Sequence, residues 1–188
     1  MKHINKRVLA SLFAIAAVAA CGGETAEQDE PAPDTTASTQ AAPDTTGAAM
    51  WAYLQEADYR NNWQLWPEKG ELYTGSDPHG ALLTTYVNDV AYEAITTRAG
   101  AMPAGAIVVK ENYMAGDSSL GAVTTMFKVE GYNAEHNDWF FTKHLPSGEL
   151  DQAPNGMALE GRLPGCQSCH IAQAANDYVF TSSLQPED

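Results

Sequence analysis

The sequence predicts an α+β domain, an antiparallel β-sheet with helices added. Three observations predict it. Runs of β-compatible residues stand at 81–87, 105–114, 122–132 and 138–145, and the second, GAIVVKENYM, holds four apolar residues in a row. Turn strings separate the later runs: AGDSSLG, NAEHN, PSGE and APNGM. Segments with helical spacing flank the first strand instead of alternating regularly with all of them.

In chain order, MWAYLQEADYRNNWQLW (50–66) reads as one helix with aromatic anchors, Trp51, Leu54 and Ala57 sharing a face. ALLTTYV (81–87) is a strand. NDVAYEAITTRAG (88–100) is a helix with Asn88 or Asp89 as its cap, Val90, Ala94 and Ile95 on its apolar stripe, and Gly100 at its end. The strands 105–114, 122–132 and 138–145 follow. HIAQAANDYVFTSS (170–183) reads as a short helix and then an extended tail. No internal repeat is visible.

The folded part is expected at 49–188, enough residues for one core. Ahead of it, Lys2, Lys6 and Arg7 precede VLASLFAIAAVAA, the pattern of a secretory signal over residues 1–20. Thirteen residues at ~1.5 Å each reach roughly 20 Å, short of the ~30 Å a membrane span needs. VAAC ends the segment as a bacterial lipoprotein box does, which would make Cys21 an acylated first residue and anchor the protein to a membrane. Gly22 after the cysteine favours the outer membrane, so the expected location is the periplasm or the periplasmic face of that membrane. The rest of 21–48 is rich in Ala, Thr, Pro and acid and has no aromatic residue, as a disordered acidic linker would.

Ten Lys and Arg against twenty-four Asp and Glu give a formal charge of −14, and loss of the three leader cations would leave −17. That balance argues against a nucleic-acid partner. It favours a cationic redox partner instead.

Cys21, Cys166 and Cys169 are too few for a disulfide framework. Cys166, Cys169 and His170 form C-x-x-C-H, the attachment pattern of covalent haem c: thioether bonds through the cysteines and His170 as axial iron ligand. A dithiol pair or half of a zinc site are the alternatives; zinc would need two further ligands, and His79, His136 and His144 stand at no ligand-type spacing from Cys166. The motif comes late, with neither Met nor His after His170, so a sixth ligand must come from upstream. Met102, Met114, Met126 and Met157 are available, although a lone Met is more often core filler. An open, five-coordinate iron is the leading expectation, and such iron binds small molecules or does chemistry.

From about Trp51 to Thr181 the chain resembles the cytochrome P-460 family, which includes the β-sheet cytochromes c′-beta. The resemblance is carried by DPHG (77–80), YVNDVAYEAI (86–95), MPAGAIVVKENY (102–113), the Trp139 strand and CQSCHIAQAANDYVFT (166–181). It implies one haem c on a five-coordinate iron. It implies that Lys110 is the lysine that, in true cytochromes P-460, bonds to the haem edge. It implies oxidation of hydroxylamine with electrons passed to a cytochrome acceptor, or, in the c′-beta manner, binding of nitric oxide or carbon monoxide without turnover. It also implies that some members are homodimers. Plain electron transfer with a methionine ligand is a third reading.

Strand alternation puts Ala106, Val108 and Lys110 on one face and Glu111 on the other. Some relatives carry a carboxylate in the next strand, where this chain has Thr124 and Thr125. Glu130 and Glu135 are read as surface residues. His79 either caps a turn or reaches the distal side. Trp139, Phe140 and Phe141 are not all expected to face the core.

Overall fold

A computed structural model of the protein describes residues 41–186. The leader, Cys21 and the linker up to residue 40 lie outside the described residues. Helix α1 spans Gly47–Glu56 and so begins inside the stretch read as linker. The Thr46 side chain accepts from Ala49 N–H at 3.2 Å and caps it. Its buried residues are Gly47, Met50 and Leu54, with Trp51 partly buried beside them. The buried stripe is thus Met50–Leu54, not Trp51, Leu54 and Ala57.

The single helix expected over 50–66 is broken. Asp58 takes φ +45°, the left-handed region that no helix can continue through. A single turn, α2 (Tyr59–Asn62), follows, and then the short strand β1 (Gln64–Leu65). The aromatic anchors hid this break, because aromatic residues suit helix and strand alike when buried.

The remaining strands are β2 (Tyr73–Thr74), β3 (Leu82–Val87), β4 (Ile107–Tyr113), β5 (Leu120–Lys128), β6 (Trp139–His144) and β7 (Glu160–Gly161). They form one antiparallel sheet of seven strands in the order β1-β3-β4-β5-β6-β7, with β2 also on β3. The α+β class is as the sequence predicts, and the four long strands fall where they are expected; the two-residue runs of β1, β2 and β7 carry too little pattern to be read. Helix α3 (Asp89–Thr96) links β3 to β4, capped by Asn88, whose Oδ1 accepts from Ala91 N–H at 3.1 Å. Its buried stripe is Ala91, Ala94 and Ile95, and Val90 is exposed. Helix α4 is Pro164–His170, with a 3-10 turn over Ile171–Asn176 after it. Among the described residues no helix is long and apolar enough to cross a membrane.

Both faces of the sheet are covered. On one, Met50, Leu54 and Tyr59 meet Tyr86, Ile107, Val109, Val123, Phe127 and Phe140. On the other, α3, α4 and the C-terminal segment pack on Val87, Ala106, Val108, Trp139 and Phe141. For this reason Trp139, Phe140 and Phe141 are all buried, contrary to the expectation that they would not all face the core: Trp139 and Phe141 pack on one side of the sheet and Phe140 on the other.

Glu111 sits on the α1 face, 1% exposed, and its carboxylate accepts from Tyr59 Oη at 2.8 Å, Tyr113 Oη at 2.5 Å and Arg60 Nε at 2.5 Å. Burial, with the carboxylate's charge next, raises the Tyr59 phenol well above its ordinary value. Glu111→Ala would leave these donors facing a void. We expect a loss of about 3 kcal/mol in urea unfolding, with Glu111→Gln losing less because an acceptor oxygen remains.

His144, on the same face, donates from Nε2 to Gly47 O at 3.1 Å, while Nδ1 is buried with no partner. Burial lowers its pKa below the usual 6.5. The folded protein therefore resists a proton that the unfolded chain accepts, so stability is unaffected above pH about 6.5 and declines as pH falls through that value toward the folded pKa. His144→Asn should flatten this part of the stability-versus-pH curve; an unchanged slope in denaturant titrations at pH 7 and pH 5 would refute the assignment.

Candidate functional site

The side of the sheet away from α1 opens into a cavity of about 800 Å³ between the β3–β6 face, the 74–80 loop, α4 and the C-terminal segment. That lies within the ~300–1,000 Å³ of ordinary ligand and cofactor pockets. Cys166, Cys169, His170, Lys110 and His79 all line it.

The motif is helical because Pro164 starts α4, where its missing N–H costs nothing, and one turn then stacks Cys166, Cys169 and His170 along the cavity wall. Cys166 and Cys169 are not joined in a disulfide. Burial raises the Cys166 thiol above its ordinary pKa, with Cys169 adding to the effect. His170 donates from Nδ1 to Tyr178 O at 2.7 Å, leaving Nε2 as the lone-pair nitrogen. Phe180 and Phe141 surround its ring at 5.3 and 5.7 Å between centroids.

That carbonyl is held from behind. Asp177 and Tyr178 both have positive φ, 49° and 67°, making a tight reversal after the 3-10 turn. Asp177 is 3% exposed, and its carboxylate accepts from Met102 N–H at 2.7 Å, Asn137 Nδ2 at 2.9 Å and Lys128 Nζ at 2.7 Å. Its carbonyl accepts from Trp139 Nε1 at 3.0 Å. Nothing in local sequence pattern marks Asp177: its partners come from three separate stretches of chain.

Lys110 is where strand alternation puts it, on the cavity face between Val108 and Asn112. Burial lowers its ammonium to about 8. Its neighbour Glu111 is on the far side of the sheet, so no acid of β4 reaches the cavity. Thr124 and Thr125 both line the wall on β5, Thr125 standing opposite Val109 of β4. Glu130 and Glu135 are exposed. Among the lining residues Asp77 is the one acid. Of the four upstream methionines, Met114 and Met126 line the cavity; Met102 is core, and Met157 is elsewhere and exposed.

His79 does more than cap a turn. Its loop is closed by Gly75 N–H to Ala81 O at 2.8 Å and pressed onto β4 at Gly80, where a Cβ would meet Tyr113 main-chain atoms at 2.5 Å. His79 Nδ1 pairs with Asn112 Oδ1 at 2.8 Å, and its ring centroid is 6.4 Å from that of His170. Burial, then the Lys110 charge, lowers its pKa to about 4. His136 and His144 are engaged elsewhere, with Tyr178 Oη and Gly47 O. Among the described residues no three His, Cys, Asp or Glu side chains converge as a metal-ion nest, which leaves the zinc reading without its further ligands.

The residues present fit haem. Two thiols one turn apart could take the macrocycle, a neutral imidazole with its Nδ1 tied to a carbonyl could take the iron, and an apolar wall of Val108, Phe141, Leu163 and Val179 could flank the ring. The family model described as Cytochrome P460 matches residues 56–181. No curated protein matches the chain. With that match running from the end of α1 through the C-x-x-C-H helix to the segment holding Tyr178 and Phe180, the chain belongs to the cytochrome P-460 family, haem c cytochromes that take a small-molecule ligand at the haem.

Proposed function

We propose that the protein is an exported, lipid-anchored haem c oxidoreductase acting on a small nitrogen compound of the hydroxylamine class. The observation that carries this reading is that Lys110 and His170 line one cavity together with both motif cysteines. Cys166 and Cys169 would hold one haem by thioether bonds and His170 would ligate its iron; the haem, when bound, supplies the redox chemistry and a coordination position for a small ligand. Lys110 would bond to the haem edge. Desolvation prepares it, because a lysine with pKa near 8 carries an appreciable neutral fraction at neutral pH. Tyr178 O fixes the His170 tautomer and ring direction.

Substrate oxidation releases protons as well as electrons. Asp77 is the cavity carboxylate past which a proton could leave, and the electrons would leave to a cytochrome acceptor near the exposed rim residues Met114 and Phe180. The lack of a carboxylate on β5 supports a second reading: a c′-beta-like nitric oxide or carbon monoxide binder without turnover. Anchoring at Cys21 and a homodimeric state belong to the proposal on the sequence pattern and the family resemblance.

Protein matured with haem-attachment machinery should keep haem through denaturation, in one equivalent per chain by mass. Cys166→Ser together with Cys169→Ser should abolish that retention. Colourless wild-type protein would end the haem reading.

Peptide mapping should further find a haem link at Lys110. Lys110→Leu should lose it, return the ferrous Soret band to an ordinary c-type position and abolish hydroxylamine-dependent acceptor reduction. A wild-type spectrum already ordinary, responsive to nitric oxide and indifferent to Lys110→Leu, would select the gas-binding reading.

A further inference from the structure

The cavity wall reverses the charge of the chain that builds it. The chain has ten Lys and Arg against twenty-four Asp and Glu. The wall has the lysines Lys69, Lys110 and Lys143 against the single acid Asp77. A wall of this sign, in a chain of the opposite sign, suits an anionic occupant.

The lysines differ in what meets their charge. Lys110 is the residue that the function proposed above joins to the haem edge, which takes it out of the count. Lys143 Nζ pairs with Asp151 Oδ2 at 2.8 Å, and Asp151 is not part of the wall. Lys69 stands half-buried in the loop between β1 and β2, with its Nζ 5.7 Å from the centre of the Tyr73 ring. That ring is itself held, since Tyr73 Oη pairs with Thr85 Oγ1 at 2.6 Å. Among the described residues no carboxylate pairs with Lys69, although Glu68 and Glu71 are near it in sequence. An ammonium in a cavity wall, backed by a fixed aromatic face and without a counter-ion, is half of an ion pair.

Haem would supply the other half. It carries two carboxylates, the propionates, on the edge away from the vinyl groups that Cys166 and Cys169 would take. A desolvated carboxylate without a partner is costly, so a site built for haem needs a cation there. We propose that Lys69 pairs with a haem propionate and fixes that edge of the macrocycle, as the thioethers fix the other. The inference rests on the haem reading above and adds a binding residue from an element separate from α4. It also gives Lys69 an electrostatic effect. An ammonium beside the propionate offsets its charge and so favours the reduced iron, which carries one electron more.

Holoprotein variants test this by two readouts that need no turnover. Lys69→Met should lower the midpoint reduction potential and shift the propionate-bending band in the resonance Raman spectrum, at unchanged haem content. Lys69→Arg, which keeps the charge, should hold both near wild type. Arg162→Met removes a cation outside the cavity and should move neither. A Lys69→Met protein with the wild-type band and potential overturns the proposal. So does a fall in potential that Arg162→Met reproduces, or a band shift that Lys69→Arg does not restore. These results leave the haem reading standing. Wild-type protein that takes up no haem overturns both.

Discussion

The site depends on Asp177. A ligand imidazole works only if its ring is aimed, and the aim of His170 comes from one bond, Nδ1–H to Tyr178 O. A carbonyl in a C-terminal coil would ordinarily be a poor anchor, because such segments fray. Here the preceding residue is locked by four donors drawn from Lys128 on β5, Met102 before β4, Asn137 and Trp139. The ion pair is 13% and 3% exposed, so it is shielded from salt, and its lysine also lies over the Trp139 ring at 5.0 Å. Two successive positive-φ residues then turn the carbonyl toward α4. The stiffness of the sheet is in this way passed to the imidazole.

Covering the sheet on both faces lets one strand serve two purposes. Along β4, Ile107, Val109 and Glu111 face α1, while Val108, Lys110 and Asn112 face the cavity. Adjacent charged residues of opposite sign consequently never pair. Glu111 is satisfied by Tyr59, Tyr113 and Arg60, and Lys110 is left desolvated with no carboxylate to hold its proton. Had the two shared a face, an ion pair would have kept the lysine charged and unreactive. The period of two along a strand is therefore part of the chemistry as well as of the packing.

How far the sequence could be read follows the range of the interactions. The C-x-x-C-H helix and the face of Lys110 are local: one turn of helix and one alternation of strand suffice. The four long strands were legible for the same reason, each carrying enough alternation to show. The break at Asp58 was not, because a single left-handed residue leaves no periodic trace. In the stripes of α1 and α3, Leu54, Ala94 and Ile95 are buried as expected, while Met50 takes the place of Trp51 and Ala91 that of Val90, since apolar residues at neighbouring sites satisfy either phase. His79 was ambiguous in DPHG because a histidine beside Pro and Gly suits a turn; only Asn112, thirty-three residues later in sequence, gives it a direction. Asp177 was invisible, since an aspartate before a tyrosine near the chain's end looks like surface.

The cavity and the exterior treat charge in opposite ways. The chain as a whole is at −14, yet Lys110, His79, His170 and Cys166 are each shifted toward their neutral forms, with burial the largest cause in every case. Burial of this kind makes an unpaired charge costly, because desolvating an ion costs several kcal/mol without a counter-charge. Under the proposed function this is a selection rule. Hydroxylamine, nitric oxide and carbon monoxide are small and uncharged at neutral pH and enter without that penalty. The acid-free face of β5 then has a rationale: a carboxylate at Thr124, directly across from Lys110, would help take a proton but would also hold the lysine in its charged, unreactive form.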